Sequence, residues 1–487
     1  MLSYEYNDFM GYRMSRYCVS IYRLGKLCGL VFLSVVLLCP LLSAQPTGRL
    51  LDLRSYGFDI PPGRVSPASD ALVTTVDEQG RTVVARVQVD VGKYHLVMLP
   101  NGQLVARSFD DAQPTTQPFA PAATTQMIED LKRGKLAHFK TLKTRNYIFL
   151  YETSEGFATQ TSRILERMLP GVTGYARLQG IEVHEPEIPL VVLMFRNDEN
   201  FQQFRHVPKG IIAYYHTLTN HIVLYEESKL AGIQKELARQ QTINTIAHEG
   251  VHQILHNIGF QRRLSAWPMW ISEGLAEFMA PTSLGKQSRW KGVGQVNDLR
   301  MYELENFIKS QAGSDTEGEW INKTVTAYRL TSAGYASAWG LTHYVAKVRN
   351  RQFKTYLQEL NKLGPLEGDH RISSDGTVDH HLTVFRKHFQ TDSAELEVRL
   401  AKYLGKLDYK DPFGDQPHFI VMIAHNNGAI IRKEANVFHT LQLAEKWRDG
   451  VLKSIKGATP ANTKSAVRQF PNRLQAEQFL RRWKSSP

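Results

Sequence analysis

Residues 245–257 read TIAHEGVHQILHN, and within them His248, Glu249 and His252 make an HExxH pattern. On a helix His248 and His252 lie one turn apart on the same face, close enough for two imidazoles to share one metal ion. Glu249 is turned about 100° from His248, so it faces a metal-bound water instead of the metal. The pattern is short, and a surface helix with two solvated histidines would also produce it.

Residues 267–280, WPMWISEGLAEFMA, give the pattern its weight. Catalytic zinc takes three protein ligands and keeps one position open for water. Glu273 lies on a second apolar helix expected to start at Pro268, and a helix, a loop and a second helix can bring it to the same metal. Glu277 follows one turn later, placed to accept the second ring N–H of a ligating histidine and fix its tautomer. Two ordinary carboxylates on a solvated helix are the alternative, but the two blocks occurring together favour zinc held by His248, His252 and Glu273.

AHEGVHQ followed by WISEGLAE resembles the gluzincin zinc metallopeptidases of the MA clan, whose metal is held by HExxH and a downstream glutamate. It is similar in particular to a bacterial family of unknown function expected to comprise secreted peptidases. The resemblance covers Asn146 to about Leu363. It implies a zincin-like catalytic domain in which a mixed sheet backs the active-site helix and a helical half forms the other wall of a cleft. Related gluzincins stabilise the oxyanion with a tyrosine or histidine from that half. Tyr335, in GYASAW at 334–339, is the candidate, with Tyr328 and His343 in reserve; packing in a helical core is the other role open to Tyr335. The metzincin pattern fails, because it needs a histidine where Ile258 stands.

With 487 residues, 42% hydrophobic and 22% charged, the chain has the make-up of an ordinary globular protein of two or three domains. Arg13, Arg16, Arg23 and Lys26 precede an apolar run, Leu27 to Leu42, and Leu42-Ser43-Ala44 ends in a small residue suited to cleavage, so residues 1–44 read as a signal peptide. An uncleaved anchor is the alternative, although the run is short for a membrane span. Cys39 follows leucines, which speaks against a lipoprotein site. The three cysteines (Cys18, Cys28 and Cys39) all fall in this segment, so the exported chain is expected to have neither disulfides nor a Cys-ligated zinc site. The formal charge of +12 falls to about +10 without residues 1–44 and is scattered. No nucleic-acid motif accompanies it, so it reads as a solvated basic surface, with weak attraction to an anionic cell envelope as the alternative.

The remaining domains read as follows. Residues 45–109 form a small β domain with a hairpin at Asn101-Gly102, and 110–145 a proline-bearing linker with a helix from Gln126 to Arg133. Residues 146–410 form the catalytic domain, with strands at Tyr147–Tyr151, Leu190–Phe195, Ile211–Tyr215 and His221–Tyr225. Its helices are Gly156–Leu178, kinked or broken at Pro170, then Asp198–Phe204, Gln234–His256, Asn297–Gln311, Ser332–Val348, Gln352–Leu363 and Ser393–Leu404. Gly250 is expected to allow close packing of the HExxH helix on the sheet, and His256 to cap or to support a ligand. Residues 411–487 form a small α/β appendage with a strand at His418–Ile423, a helix at Val437–Ser454, a strand at Ala466–Phe470 and a helix at Leu474–Trp483. The whole reads as α+β.

The function expected is zinc-dependent hydrolysis of protein or peptide substrates, with Glu249 as general base and the strand near Ile211–Tyr215 holding an extended substrate. The competing classes are a non-catalytic zinc-binding envelope or adhesion protein on the same scaffold, and a hydrolase of non-peptide amides. An intact Glu249 favours catalysis. The oligomeric state is left open. Mass spectrometry of the exported protein is expected to find an N-terminus at or near Gln45; an intact Leu27–Leu42 segment in membrane fractions would establish the anchor instead.

Overall fold

The computed structural model describes residues 49–67, 71–227, 235–283, 288–311, 318–368, 377–426, 428 and 430–485. The expected signal peptide, with its cysteines, lies outside the described residues. No helix among the described residues is long and apolar enough to cross a membrane. The fold is α+β, with thirteen α-helices and three sheets among the described residues. The described chain divides into two compact units, 49–120 with 207–209, and 121–206 with 210–485.

The first unit is an antiparallel sheet of β1 (Leu50–Leu51), β2 (Gly63–Pro67), β3 (Leu72–Val76), β4 (Thr82–Val91), β5 (Tyr94–Met98), β6 (Leu104–Ser108) and β7 (Gln113–Pro114). Burial alternates along β4, and Val73, Ala85, Val87 and Val97 share the covered face. The β5–β6 turn uses Gly102 at φ 85°, the left-handed conformation that an Asn-Gly hairpin needs. The stretch expected as linker contributes β7, which pairs with β3 beside a buried Ala112. Such a short strand among threonine, glutamine and proline has no periodicity to read, and its Pro114 is tolerated because the strand lies on the edge.

The second unit opens with α1 (Thr124–Leu131), then β8 (Lys140–Lys143), β9 (Tyr147–Tyr151), α2 (Glu155–Leu178), β10 (Leu190–Asn197), α3 (Asp198–Phe204), β11 (Ala213–His216) and β12 (His221–Glu227). The five strands form a mixed sheet in the order β11-β12-β10-β9-β8, with β9, β10 and β12 parallel and β8 and β11 antiparallel edges. Residues 147–151 and 190–195 are buried throughout, because α2 and the HExxH helix cover one face while α3 and Phe139 cover the other. The helix α2 runs unbroken through Pro170. The proline is exposed while Leu165, Leu169 and Val172 pack inward, and that buried face outweighs the lost backbone hydrogen bond.

The HExxH helix is α4 (Lys235–Asn257). Gln253 pins it to the sheet, donating from Nε2 to the carbonyls of Val191 and Asn220 at 3.1 and 2.8 Å. Gly250 faces α2, not the sheet: a Cβ there would lie 2.4 Å from Cδ2 of Leu165. Two helices stack on one sheet face, so the closest approach falls between the helices.

The helical half follows: α5 (Met269–Met279), α6 (Asp298–Ser310), α7 (Glu319–Thr326), α8 (Ser332–Val348), α9 (Asn350–Asn361), α10 (Asp379–Phe389) and α11 (Ser393–Leu404). Sequence reading missed α7 and α10, whose EWINKTVT and DHHLTVFRKHF mix β-branched residues and histidines of modest helix propensity. The closest crossing joins α5 and α8. A Cβ on Gly274 would lie 2.2 Å from Oγ1 of Thr342 and 2.8 Å from the Ala338 carbonyl oxygen.

The chain ends in β13 (His418–Asn426), β14 (Ile431–Phe438), α12 (Leu441–Ser454), β15 (Thr463–Phe470) and α13 (Arg473–Ser485), an antiparallel sheet ordered β14-β13-β15. Val421, Ile423 and Trp447 form one small core with α12, and Ile420, Met422 and Phe479 another with α13. The helix expected from Val437 begins at Leu441, capped by Thr440, because Val437 and Phe438 complete β14. The charges of β14 hid its alternation. This lobe is tied to α6: Lys309 donates to Oε1 of Glu305 at 2.7 Å and to the Val437 carbonyl, while Arg473 reaches Glu305 at 3.0 Å and Asp411 at 2.7 Å.

Gly274→Ala is expected to lower stability by about 1–3 kcal/mol, the range for overpacking against atoms that cannot move aside. Gly156→Ala, where a Cβ meets nothing within 4 Å, is expected to leave stability unchanged or slightly raised. Thermal denaturation of the two variants checks the contrast.

Candidate metal centre

The apolar positions of α4 face α2 and the sheet, which leaves His248 and His252 turned toward α5 and Glu249 toward the edge strand β11. The chain then returns over residues 258–268. Nδ2 of Asn361 donates to the carbonyls of Gly259 and Phe260 at 3.0 and 2.9 Å, and the Ala266 amide donates to the Glu367 carbonyl at 2.8 Å. Pro268 precedes α5, as expected, and Trp270, Ile271 and Leu275 are buried. The opposite side of α5 presents Glu273 and Glu277 to α4.

His248, His252 and Glu273 come together as a group able to hold a metal ion. Nε2 of His248 lies 3.0 Å from Oε2 of Glu273 and 3.2 Å from Nε2 of His252, and the third separation is 3.4 Å. Tetrahedral ligands on bonds of about 2.0–2.1 Å stand about 3.3–3.4 Å apart, so the three donors fit one ion of that size. Their side chains are only 11, 13 and 15% exposed.

Glu277 stands behind the triad. Its Oε1 lies 3.1 Å from Nδ1 of His248, on the ring edge away from Glu273. The same oxygen accepts from Nη2 of Arg300 at 2.7 Å, and Oε2 accepts from Nδ2 of Asn297 at 2.9 Å. Burial would raise the pKa of Glu277, but Arg300 and His248 outweigh it and hold the carboxyl at about 2. Glu273 is likewise held well below the usual carboxylate range against the effect of burial, chiefly by His252 and His248. Burial opposes protonation of His248, yet Glu277 and Glu273 raise its pKa well above 6.5. A site with this balance favours a cation.

Glu249 stays outside the triad. Its Oε2 accepts the Tyr215 backbone amide of the edge strand β11 at 2.8 Å. Burial raises its pKa, opposed by His248 and His252. Tyr215 is itself fixed: its hydroxyl donates to Oδ1 of Asn220 at 2.8 Å, and Asn220 exchanges amide hydrogen bonds with Asn257 at the end of α4. Asn220 has φ 63°, which asparagine tolerates in a tight turn.

Tyr335 lies at the centre, its ring centroid 6.1 Å from that of His248 and 5.3 Å from the Arg300 guanidinium carbon. His343 does not. It packs among Phe278, Trp339 and Tyr403, with Nδ1 2.9 Å from the Tyr403 hydroxyl, and burial lowers its pKa to about 4. Tyr328 lies beside Arg329, whose guanidinium carbon is 6.0 Å from its ring centroid. His256 lies outside the metal group, with its ring 5.4 Å from that of Tyr215, and serves the edge strand. Sequence reasoning missed Arg300, Asn297 and the Tyr215 amide. Arg300 and Asn297 carry no motif, and a backbone donor leaves no trace in residue identity.

The purified chain is expected to bind about one metal ion, and His252→Ala or Glu273→Ala to abolish tight binding, since each removes one of three donors. Metal analysis after dialysis against a weak chelator reads the outcome. Full occupancy in Glu273→Ala would remove Glu273 from the ligand set.

The family described as a protein of unknown function (DUF1570) matches residues 242–367, a span that contains the triad, Glu249, Glu277, Arg300 and Tyr335. No curated protein matches the chain.

Proposed function

We propose that the protein is a zinc-dependent peptidase of the gluzincin type, its zincin-like domain made of the five-stranded sheet, α4 and the helical half. The observation that carries the reading is the placement of Glu249. Its carboxylate is buried within electrostatic reach of all three candidate ligands, outside their triangle, and anchored on the edge-strand amide. A purely structural metal site has no use for a carboxylate there.

Two imidazoles and one carboxylate suit zinc. When bound, zinc supplies Lewis acidity that brings the pKa of a water near neutrality and polarises a carbonyl. Glu249 takes the proton of the attacking water on its carboxylate and passes it to the leaving amine. The Tyr215 amide keeps that carboxylate aimed while leaving it an oxygen for the proton. Tyr335, beside His248, offers its hydroxyl to the developing oxyanion. The Tyr215 amide points away from β12, and with a period of two Ala213 turns its backbone the same way. An extended protein or peptide substrate can pair along that edge. Export to the cell envelope or beyond completes the proposal.

Glu249→Gln keeps the side chain's shape and the three donors, so zinc content and thermal stability are expected to survive. Turnover of a substrate found by peptide-library digestion is expected to fall by roughly 10²–10⁴-fold. Tyr335→Phe is expected to cost roughly 10–10³-fold. Equal rates for wild type and Glu249→Gln at matched zinc occupancy would sink the peptidase mechanism.

A further inference from the structure

Behind the triad lies a chain of charged contacts that no part of the HExxH pattern foretells. Arg300, on the first turn of α6, sends its two Nη atoms in different directions. Nη2 donates to Oε1 of Glu277 at 2.7 Å, and Nη1 donates to Oε2 of Glu303 at 2.7 Å. Glu303 accepts in turn from Ser332 at 3.0 Å, the first residue of α8, and Tyr335 follows three residues later. The guanidinium also lies over the Tyr335 ring, which in turn neighbours the His248 imidazole. One side chain therefore touches the carboxylate behind His248, the support of the α8 N-terminus, and the aromatic ring beside the same histidine.

We propose that Arg300 is the positioning residue of the metal centre, holding Glu277 against Nδ1 of His248 and aligning Tyr335 with that histidine. The inference rests on the ligand set proposed above and not on peptide cleavage. Glu277 and Glu273 are two buried carboxylates one turn apart on α5, and they repel each other. Arg300 supplies the opposite charge on the Glu277 oxygen that faces Nδ1 of His248, so Glu277 stays behind His248 as an orienting group and does not compete as a ligand. Only a forked cation meets Glu277 and Glu303 at once; a lysine ammonium is a single point charge on a flexible stem. The flat guanidinium also stacks over the tyrosine face. The backbone beneath Arg300 is held from both sides: Asn297 caps α6 and bonds Glu277, and Glu305 and Lys309 fasten the other end to the C-terminal lobe.

The test compares Arg300→Met, Arg300→Lys and Lys309→Met in the full chain. Zinc affinity is measured by competition with a chelator, ligand geometry by the visible spectrum of the cobalt(II)-substituted protein, and integrity by the melting temperature without metal. Arg300→Met is expected to bind zinc roughly 10–100-fold more weakly, the usual cost of losing support behind a ligand, with a shifted cobalt spectrum. Arg300→Lys is expected to fall between it and wild type, and it carries the test alone if Arg300→Met does not fold. Lys309→Met cuts contacts of the same helix away from the site and is expected to lower the melting temperature while keeping zinc affinity within about two-fold of wild type. Wild-type affinity and spectrum in both Arg300 variants would overturn the proposal, as would a loss in Lys309→Met equal to that in Arg300→Met. A wild-type chain that binds no zinc would instead overturn the ligand set itself, so the two failures are separable.

Discussion

The buried meeting of Glu273 and Glu277 with the histidines of α4 is the constraint on which the rest of the domain depends. Two carboxylates and two imidazoles share a volume in which each side chain is at most 15% exposed. Charges buried so closely are costly unless each has an opposite partner and hydrogen bonds for its remaining lone pairs. The site answers with Arg300 and Asn297 on Glu277, with a donor geometry on the Glu273 side that suits one cation, and with the Tyr215 amide on Glu249. Arg300 and Asn297 come from α6 and the Tyr215 amide from the edge strand, so the site is the point at which the sheet, α4, α5 and α6 must agree.

Agreement at that scale requires helices that approach closely. Gly250 lets α4 seat against Leu165 of α2, and Gly274 lets α5 seat against Ala338 and Thr342 of α8. Gly250 stands on the face of α4 opposite its two histidines, and Gly274 directly follows Glu273, so both lie next to the residues whose positions matter most. The cost of glycine within a helix is about 1 kcal/mol each, and close packing at both crossings offsets it.

The division of labour between the two halves follows from their chemistry. A sheet edge presents backbone donors, so β11 is the element that can fix Glu249 through an amide. Helices present side chains, so Glu277, Arg300 and Tyr335 come from the helical half. The C-terminal lobe has small cores of its own, yet its Arg473 and the Val437 carbonyl grip α6 at the end opposite Arg300.

The sequence alone determined those features that depend on local spacing. HExxH on a helix dictates the pair of histidines and the offset glutamate, and SEGLAE after Pro268 dictates a second helix with Glu273 and Glu277 on one face. Most strands and longer helices were legible because their apolar residues recur at period two or 3.6, or run unbroken where both sheet faces are covered. Illegible were the short elements: β7, hidden among polar residues, and α7 and α10, whose residues have little intrinsic preference for a helix. The charges of β14 mask its alternation, so the pattern alone starts a helix at Val437, whereas pairing with β13 makes Val437 and Phe438 strand. Pro170 misled for a related reason, since packing of the neighbouring leucines overrode a local breaker. In the site, only the tertiary structure could select Tyr335 over His343. Both lie on α8, but one turns toward His248 and the other into the core beside Tyr403. Arg300 and the Tyr215 amide were invisible for the same physical reason: they act through contacts between elements distant in the chain, and no spacing along one helix encodes such a contact.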